Sequence, residues 1–347
     1  MLGGGVFVTQ NKVLPGSYIN FVNASTSGNI VGNRGVVAIA LPLGKSTGTV
    51  IKLTASEFLD DCENLLGKKY DSTEVAPLRE IFKHSTKVYI YDLGTDSSKA
   101  ATDAVKALEP YEFNVLCAYT SESTDIATYI STIKTWRDEL GKKCQVVVYN
   151  QSKPDYEGVI NVVSTVSNEG ADEYALVAWV AGAEAGCKIN ESCTNMAYDG
   201  EYEVVIDKTQ TELEDCIKNG QLAFHLVYEE VRLLEDINSL TTTNADKGDD
   251  FKSNQTIRVV DQIANDIAKL FNTKYLGKIA NNETGRTSLW GDIVKHHKDL
   301  EAVGAIENFN SSLLTVTQGN SKKSVVVNDV VTVTNSMTQL YMTVIIQ

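Results

Sequence analysis

The residues whose types and spacing come nearest to chemistry are a glycine-flanked run, Gly44-Lys45-Ser46-Thr47-Gly48, and an adjacent pair, His296-His297. A phosphate-binding loop needs an earlier glycine to begin its turn and a helix N-terminus to hold the anion. Ile39 stands where that glycine belongs, and TVIKLT after the loop reads as a strand. Taken as GxSxG, the same letters would need a strained elbow leading into a helix, which TVIKLT again denies. The run is expected to be a polar turn between two strands. The histidines fall on a helix near residues 289–300, where adjacent positions point about 100° apart, so they are expected not to share a metal. His84 and His225 are the only others. Asp60-Asp61 and Asp249-Asp250 have the types for a general acid and base or a magnesium site, but adjacent carboxylates near a helix or loop read as solvated charge. Six cysteines, at 62, 117, 144, 187, 193 and 216, form no CxxC pair; neither a zinc ribbon nor a redox dithiol is indicated, and they read as reduced cytosolic thiols. No catalytic, cofactor-binding or metal-ligating residue is assigned.

The bulk composition agrees with a folded, non-membrane chain. Its 347 residues are enough for two or three domains, with 43% hydrophobic and 22% charged residues. Forty-five acidic against 31 basic side chains give a net charge of −14, which disfavours direct nucleic-acid binding and anionic membranes. The longest weakly charged apolar stretch, 174–183, is too short for a span of about 20 residues, so no membrane insertion is expected. The N-terminus lacks a basic region followed by an apolar one, and the chain is expected to be made and kept in the cytoplasm.

The elements that must position any site change character along the chain. Residues 1–24 read as an arm: three glycines lead into short alternating runs containing Val6 and Val8, broken by Pro15-Gly16, with Ile19 and Phe21 facing opposite to Tyr18. Fully extended, such an arm reaches about 80 Å. Strands follow over 36–41 and 49–53, and Thr54-Ala-Ser-Glu57 has capping-box spacing before a helix stopped by Gly67. From Val88, short apolar runs alternate with amphipathic helices over 97–108 and 124–140 and a small-residue helix from Ala171, the pattern of a parallel, doubly wound α/β sheet. Ile126, Ile130, Ile133 and Leu140 are expected to form the buried stripe of the second helix. Two further helices, near 257–271 and 289–300, precede β-prone runs over 325–327, 330–333 and 340–346. Leu340, Met342, Val344 and Ile346 make one apolar face at the very end of the chain.

Such a strand either folds back on its own sheet or completes another molecule's, because an open apolar edge invites aggregation. A second extended segment at the other end favours exchange, with each copy binding different neighbours by strand addition. The expected subunit-interface residues are Val6, Val8, Tyr18, Ile19, Phe21, Val331, Val333, Leu340, Tyr341, Met342, Val344 and Ile346. The expected division is an N-terminal arm (1–24), a small β-rich domain (25–87), an α/β middle domain (88–235), an α+β C-terminal core domain (236–334) and a C-terminal arm (335–347). A cytosolic α/β enzyme, hydrolase-like and oligomerising through its C-terminal region, is the competing reading.

Seven segments in order carry a resemblance: PGSYINF (15–21), RGVVAIALPLG (34–44), AGAEAGCKINESCT (181–194), INSLTTTNADKGDDF (237–251), IRVVDQIANDIAKLF (257–271), YLGKIANNETGR (275–286) and MTQLYMTV (337–344). On these the chain resembles the contractile tail sheath proteins of phages and phage-tail-like bacteriocins, especially the short forms of Gram-positive hosts. The resemblance implies a subtilisin-like topology for the middle domain, without proteolysis, since fold does not fix function. It also implies a homo-oligomer of six-subunit rings stacked helically around a tail tube protein, with baseplate and tail terminator proteins as further partners. Both terminal arms would add strands to neighbours' core domains. The particle would assemble in the bacterial cytoplasm and contract to drive its tube through a target envelope.

Overall fold

The computed structural model describes residues 34–94 and 100–346. The N-terminal arm, with Val6, Val8, Tyr18, Ile19 and Phe21, lies outside them. The first described strand, β1 (Val36–Leu41), is apolar at every position, as a strand covered on both faces must be. A turn returns the chain as β2 (Val50–Thr54). At the start of α1 (Ala55–Leu66), Glu57 accepts from the Thr54 amide at 3.1 Å, and Gly67 ends the helix at φ 70°. There follow α2 (Ala76–Ile81), β3 (Lys87–Asp92), α3 (Ala100–Leu108), β4 (Val115–Cys117), α4 (Ser123–Thr135), β5 (Gln145–Tyr149), β6 (Val159–Val162), α5 (Leu176–Gly186), α6 (Gln210–Lys218) and β7 (Gln221–Leu222).

These strands make one seven-stranded sheet in the order β2-β3-β1-β4-β5-β6-β7, parallel throughout except for β2. Because side chains alternate across a strand, Val37, Ile39 and Leu41 of β1 join a core with α1, α2 and α5. Ala38 and Ala40 join a second core with α3 and α4 on the opposite face. The expected small β domain over 25–87 is corrected here: Val36 to Leu41 pair one for one with Lys87 to Asp92, so β1 and β2 are part of the α/β sheet. Five of the six residues of β1 are buried, and pairing with β3 on one side and β4 on the other satisfies the strand's backbone groups.

Two helices differ from expectation for local reasons. The buried stripe of α4 is Ile126, Tyr129 and Ile133, continued by Trp136, while Leu140 is 49% exposed. A π-helical turn over Trp136–Leu140 shifts the register and turns Leu140 outward. In α5, ten of eleven residues are buried, so it has no polar face. Its small residues allow a close crossing: a Cβ on Gly182 would come 2.4 Å from the Ile81 carbonyl oxygen, and one on Gly186 would come 2.0 Å from that of His84.

The hairpin β8 (Phe224–Val227) and β9 (Glu230–Leu233) leads into the C-terminal region. There α7 (Asn254–Leu270) and α8 (Glu283–Ala302) pack beside β10 (Ile306–Glu307), β11 (Thr315–Gln318), β12 (Val325–Asn328) and β13 (Thr332–Val333). β10 pairs with β13 and β11 with β12, each pair antiparallel and two-stranded. No helix among the described residues is long and apolar enough to cross a membrane.

Candidate assembly interface

The chemical-looking motifs are each absorbed by structure. The Gly44–Gly48 run turns between β1 and β2 and does cradle an anion, which is the protein's own Asp92. The amides of Gly44, Ser46 and Gly94 donate to that carboxylate at 2.8, 2.6 and 2.9 Å. Burial works against the charge, but these amides outweigh it and hold Asp92 below the usual carboxylate range.

His296 and His297 are both fully buried, and the expectation that they diverge is corrected. Side-chain rotation overrides the backbone angle and brings their Nδ1 atoms to 3.0 Å, so one donates and the other accepts. His297 Nε2 contacts Asp329 Oδ2, and its ring meets Phe309 edge-on at 4.9 Å. His296 Nε2 lies 3.7 Å from Asp266 Oδ2. Desolvation depresses His296 to about 4 despite that carboxylate, so its neutral form is the one at home in the fold. Asp249 and Asp250 are exposed, with Asp249 paired to Lys252 at 2.7 Å. These histidines and acids connect α7, α8 and the approach to β13; they do not converge on a cleft.

A buried polar joint fastens α7 to the α/β sheet, and the sequence carried no sign of it. Asp261 takes Arg137 in a bidentate pair at 2.5 and 2.8 Å. One turn earlier, Arg258 Nη2 lies 2.7 Å from Glu184 Oε2, 3.1 Å from Asp236 Oδ2 and 3.7 Å from Cys193 Sγ. Glu184, Cys193 and Asp236 are the one group of three metal-type donors among the described residues; the guanidinium supplies the positive charge there. Burial and the neighbouring Asp236 push Glu184 well above its ordinary value, whereas Arg258 overcomes burial and holds Asp236 below its own. Glu184 also shares a side-chain hydrogen bond with Asp236, so the two acids and the Arg258 guanidinium form one buried cluster. Seen along the helix, these residues look like ordinary polar positions; only the fold reveals that they are buried.

The C-terminal residues of the expected interface divide at one point. Val331 and Val333 are half-buried against the core around Val259, Leu300 and Ile306, and Val333 pairs with Ile306 in the same chain. The last anchors follow immediately: Gln255 Nε2 donates to Thr334 O at 3.4 Å, Asn335 Nδ2 to Thr256 Oγ1 at 3.2 Å, and the Ser336 amide to Gln255 Oε1 at 3.0 Å. Beyond Ser336 the expected strand over 340–346 has no ladder, and Leu340, Tyr341, Met342, Val344 and Ile346 are 69–92% exposed. A strand needs a partner to be one, and the described part of this chain supplies none.

Family profiles match two stretches of the chain. That of the phage tail sheath protein central domain matches residues 94–239, and that of the phage tail sheath C-terminal domain matches residues 246–347. The tail sheath protein of Clostridium phage phiCD119 is 30% identical over 276 residues, which cover 76% of this chain and 73% of that protein. The chain belongs to the contractile phage tail sheath family. A solved sheath tail protein from Desulfitobacterium hafniense is 25% identical, with a TM-score of 0.75 over 87% of this sheath chain and 93% of its own. The helical sheath of the anti-feeding prophage in its contracted state, 14% identical, shares the fold with a TM-score of 0.68 over 96% of this chain and 99% of that one. The sheath chain spans 39% and 50% of the length of two other relatives, both from Bacillus subtilis.

Proposed function

We propose that this protein is the structural, non-enzymatic subunit of a contractile tail, polymerising as stacked six-subunit rings around a tail tube and contracting to drive the tube through a target envelope. Baseplate and terminator proteins bound the stack, and the particle assembles in the bacterial cytoplasm. The observation that carries this reading is the exposed tail beyond Ser336. Covering each of its large apolar side chains is worth about 1.5–3 kcal/mol, and an exposed extended edge of that composition invites association. The open edges of the two-stranded sheets β10–β13 and β11–β12 are its natural acceptors on a neighbouring copy. The division into arms, a subtilisin-like α/β unit and a C-terminal core fits the same scheme, with the α/β unit beginning at β1.

The distribution of charge supports it further. Residues 246–347 carry 11 acidic and 11 basic side chains, so the whole surplus of negative charge lies in residues 1–245. The C-terminal region therefore brings copies together without net repulsion while the acidic remainder faces solvent. A hydrolase reading has lost its best motif to the Asp92 cradle.

Electron microscopy of the purified full chain tests the proposal. Tubes or stacked rings are expected; discrete small oligomers with catalytic turnover would overturn it.

A further inference from the structure

The hairpin β8–β9 ends in a side chain that its own chain leaves almost wholly uncovered. Its base is rooted in the core, where Phe224 pairs with Leu233 and both are buried. Two and four positions on, Leu226 is 55% exposed and Tyr228 is 98% exposed. Val227 pairs with Glu230, so the turn has two residues, Tyr228 at φ 48° and Glu229 at φ 71°. A turn with left-handed backbone at both positions is ordinarily built from Asn and Gly. Tyrosine and glutamate strain it, and strain of this kind is kept where it presents a side chain for a function.

A seat of complementary character lies where α1 meets α2. It is a notch of about 220 Å³ walled by Phe58, Leu59, Tyr70 and Phe82. The Phe58 ring is 4.9 Å from those of both Tyr70 and Phe82, and Leu59 and Tyr70 are exposed. Arg79 and Lys83 also line it. Arg79 is fixed in place: Nε donates to both Glu201 carboxylate oxygens at 2.9 Å, and Nη1 donates to the Tyr70 and Ser72 carbonyls at 2.6 and 3.0 Å. The notch is therefore preformed, which lowers the cost of filling it. Lys83 is exposed and forms no salt bridge among the described residues.

We infer that Tyr228 of one copy inserts into this notch on a second copy, with Glu229 set against Lys83, a contact that rests on the sheath reading above. Charge complementarity names the occupant: Glu229 and Glu230 lead the tip, and Arg79 and Lys83 line the seat. A tyrosine that becomes buried needs a partner for its hydroxyl, and the Glu201 carboxylate on the notch wall can accept from it. Aromatic walls around an arginine have the composition of interface hot spots. Finger and notch are different surfaces of one chain, so the contact is head-to-tail, the class that builds rings and helical stacks. It joins α/β units, separately from any pairing of the tail beyond Ser336.

The test places p-benzoylphenylalanine at position 228 of the full chain, mixes heavy- and light-nitrogen protein under assembly conditions, irradiates it and maps cross-linked peptides by mass spectrometry. Mixed-isotope cross-links to residues 55–83 are expected. Tyr228→Asn should raise the melting temperature by easing the turn, yet weaken association in sedimentation at least about tenfold. Glu229→Lys and Lys83→Glu should each weaken association, and the two together should recover most of the loss. Cross-links within one isotope, to another surface or to nothing would overturn the inference. So would a double charge swap without recovery, or a Tyr228→Asn variant that loses stability along with association. Electron microscopy of the irradiated samples keeps the two readings apart: tubes without the cross-link refute the finger contact alone, whereas small oligomers that carry it refute the sheath reading alone.

Discussion

Arg137 and Asp261 bury a charge pair whose partners come from the π-helical turn after α4 and the middle of α7. Removing one partner strands the other charge, so Asp261→Ala should cost about 3–5 kcal/mol in urea unfolding, whereas replacing both by apolar residues of similar volume should cost far less. His296 makes a second prediction through pH. Its folded value of about 4 lies below the ordinary value of about 6.5, so the unfolded chain binds the proton more readily. The stabilisation is complete above about pH 6.5 and is lost as pH falls toward 4, by up to about 3 kcal/mol. His296→Gln should flatten that part of the stability curve, measured as the urea midpoint against pH.

At the scale of elements, α5 and α8 offer a paired test with opposite signs. Alanine in place of glycine favours an unconstrained helix by about 1 kcal/mol, and Gly291 of α8 has nothing within 4 Å of an added Cβ. Gly291→Ala should therefore raise the melting temperature. Gly182→Ala in α5 should lower it, because a contact of 2.4 Å with the Ile81 backbone oxygen cannot relax cheaply, and overpacking of this kind costs about 1–3 kcal/mol. The C-terminal tail is an element without a partner in its own described chain. Deleting residues 337–347 should leave circular dichroism and melting temperature nearly unchanged while abolishing polymer formation in sedimentation, since the last anchoring hydrogen bond belongs to Ser336.

For the whole molecule, the joint made by Arg137, Arg258, Asp261, Glu184 and Asp236 makes the α/β sheet and α7 a single unit. On the proposed strand exchange, such a unit can rotate against neighbouring copies while tail pairing persists. If the tail pairs with a neighbouring copy as proposed, a cross-link between residues 340–346 and that copy should permit contraction of the assembled sheath. A sheath locked in its extended form, seen by electron microscopy after triggering, would show instead that the pairing must break.

The alternation of apolar runs and helices from Val88 onward, the caps at Thr54 and Gly67, and the apolar face of the last residues are properties of neighbours along the chain, and the sequence determined them by itself. So was the absence of a following helix at Gly44–Gly48, which argued against a phosphate loop before Asp92 was known to sit in it. Only the tertiary structure decided that β1 and β2 enter the large sheet, because strand order depends on pairings between residues about fifty positions apart, such as Val36 with Lys87. It alone turned His296 toward His297 and sank Arg258 among acids. Burial and convergence are relations between distant residues, and a pattern read along one chain cannot contain them. The candidate interface divides in the same way: its apolar composition was legible in the sequence, but the point at Ser336 beyond which the described chain no longer anchors its own tail is set by hydrogen bonds to α7.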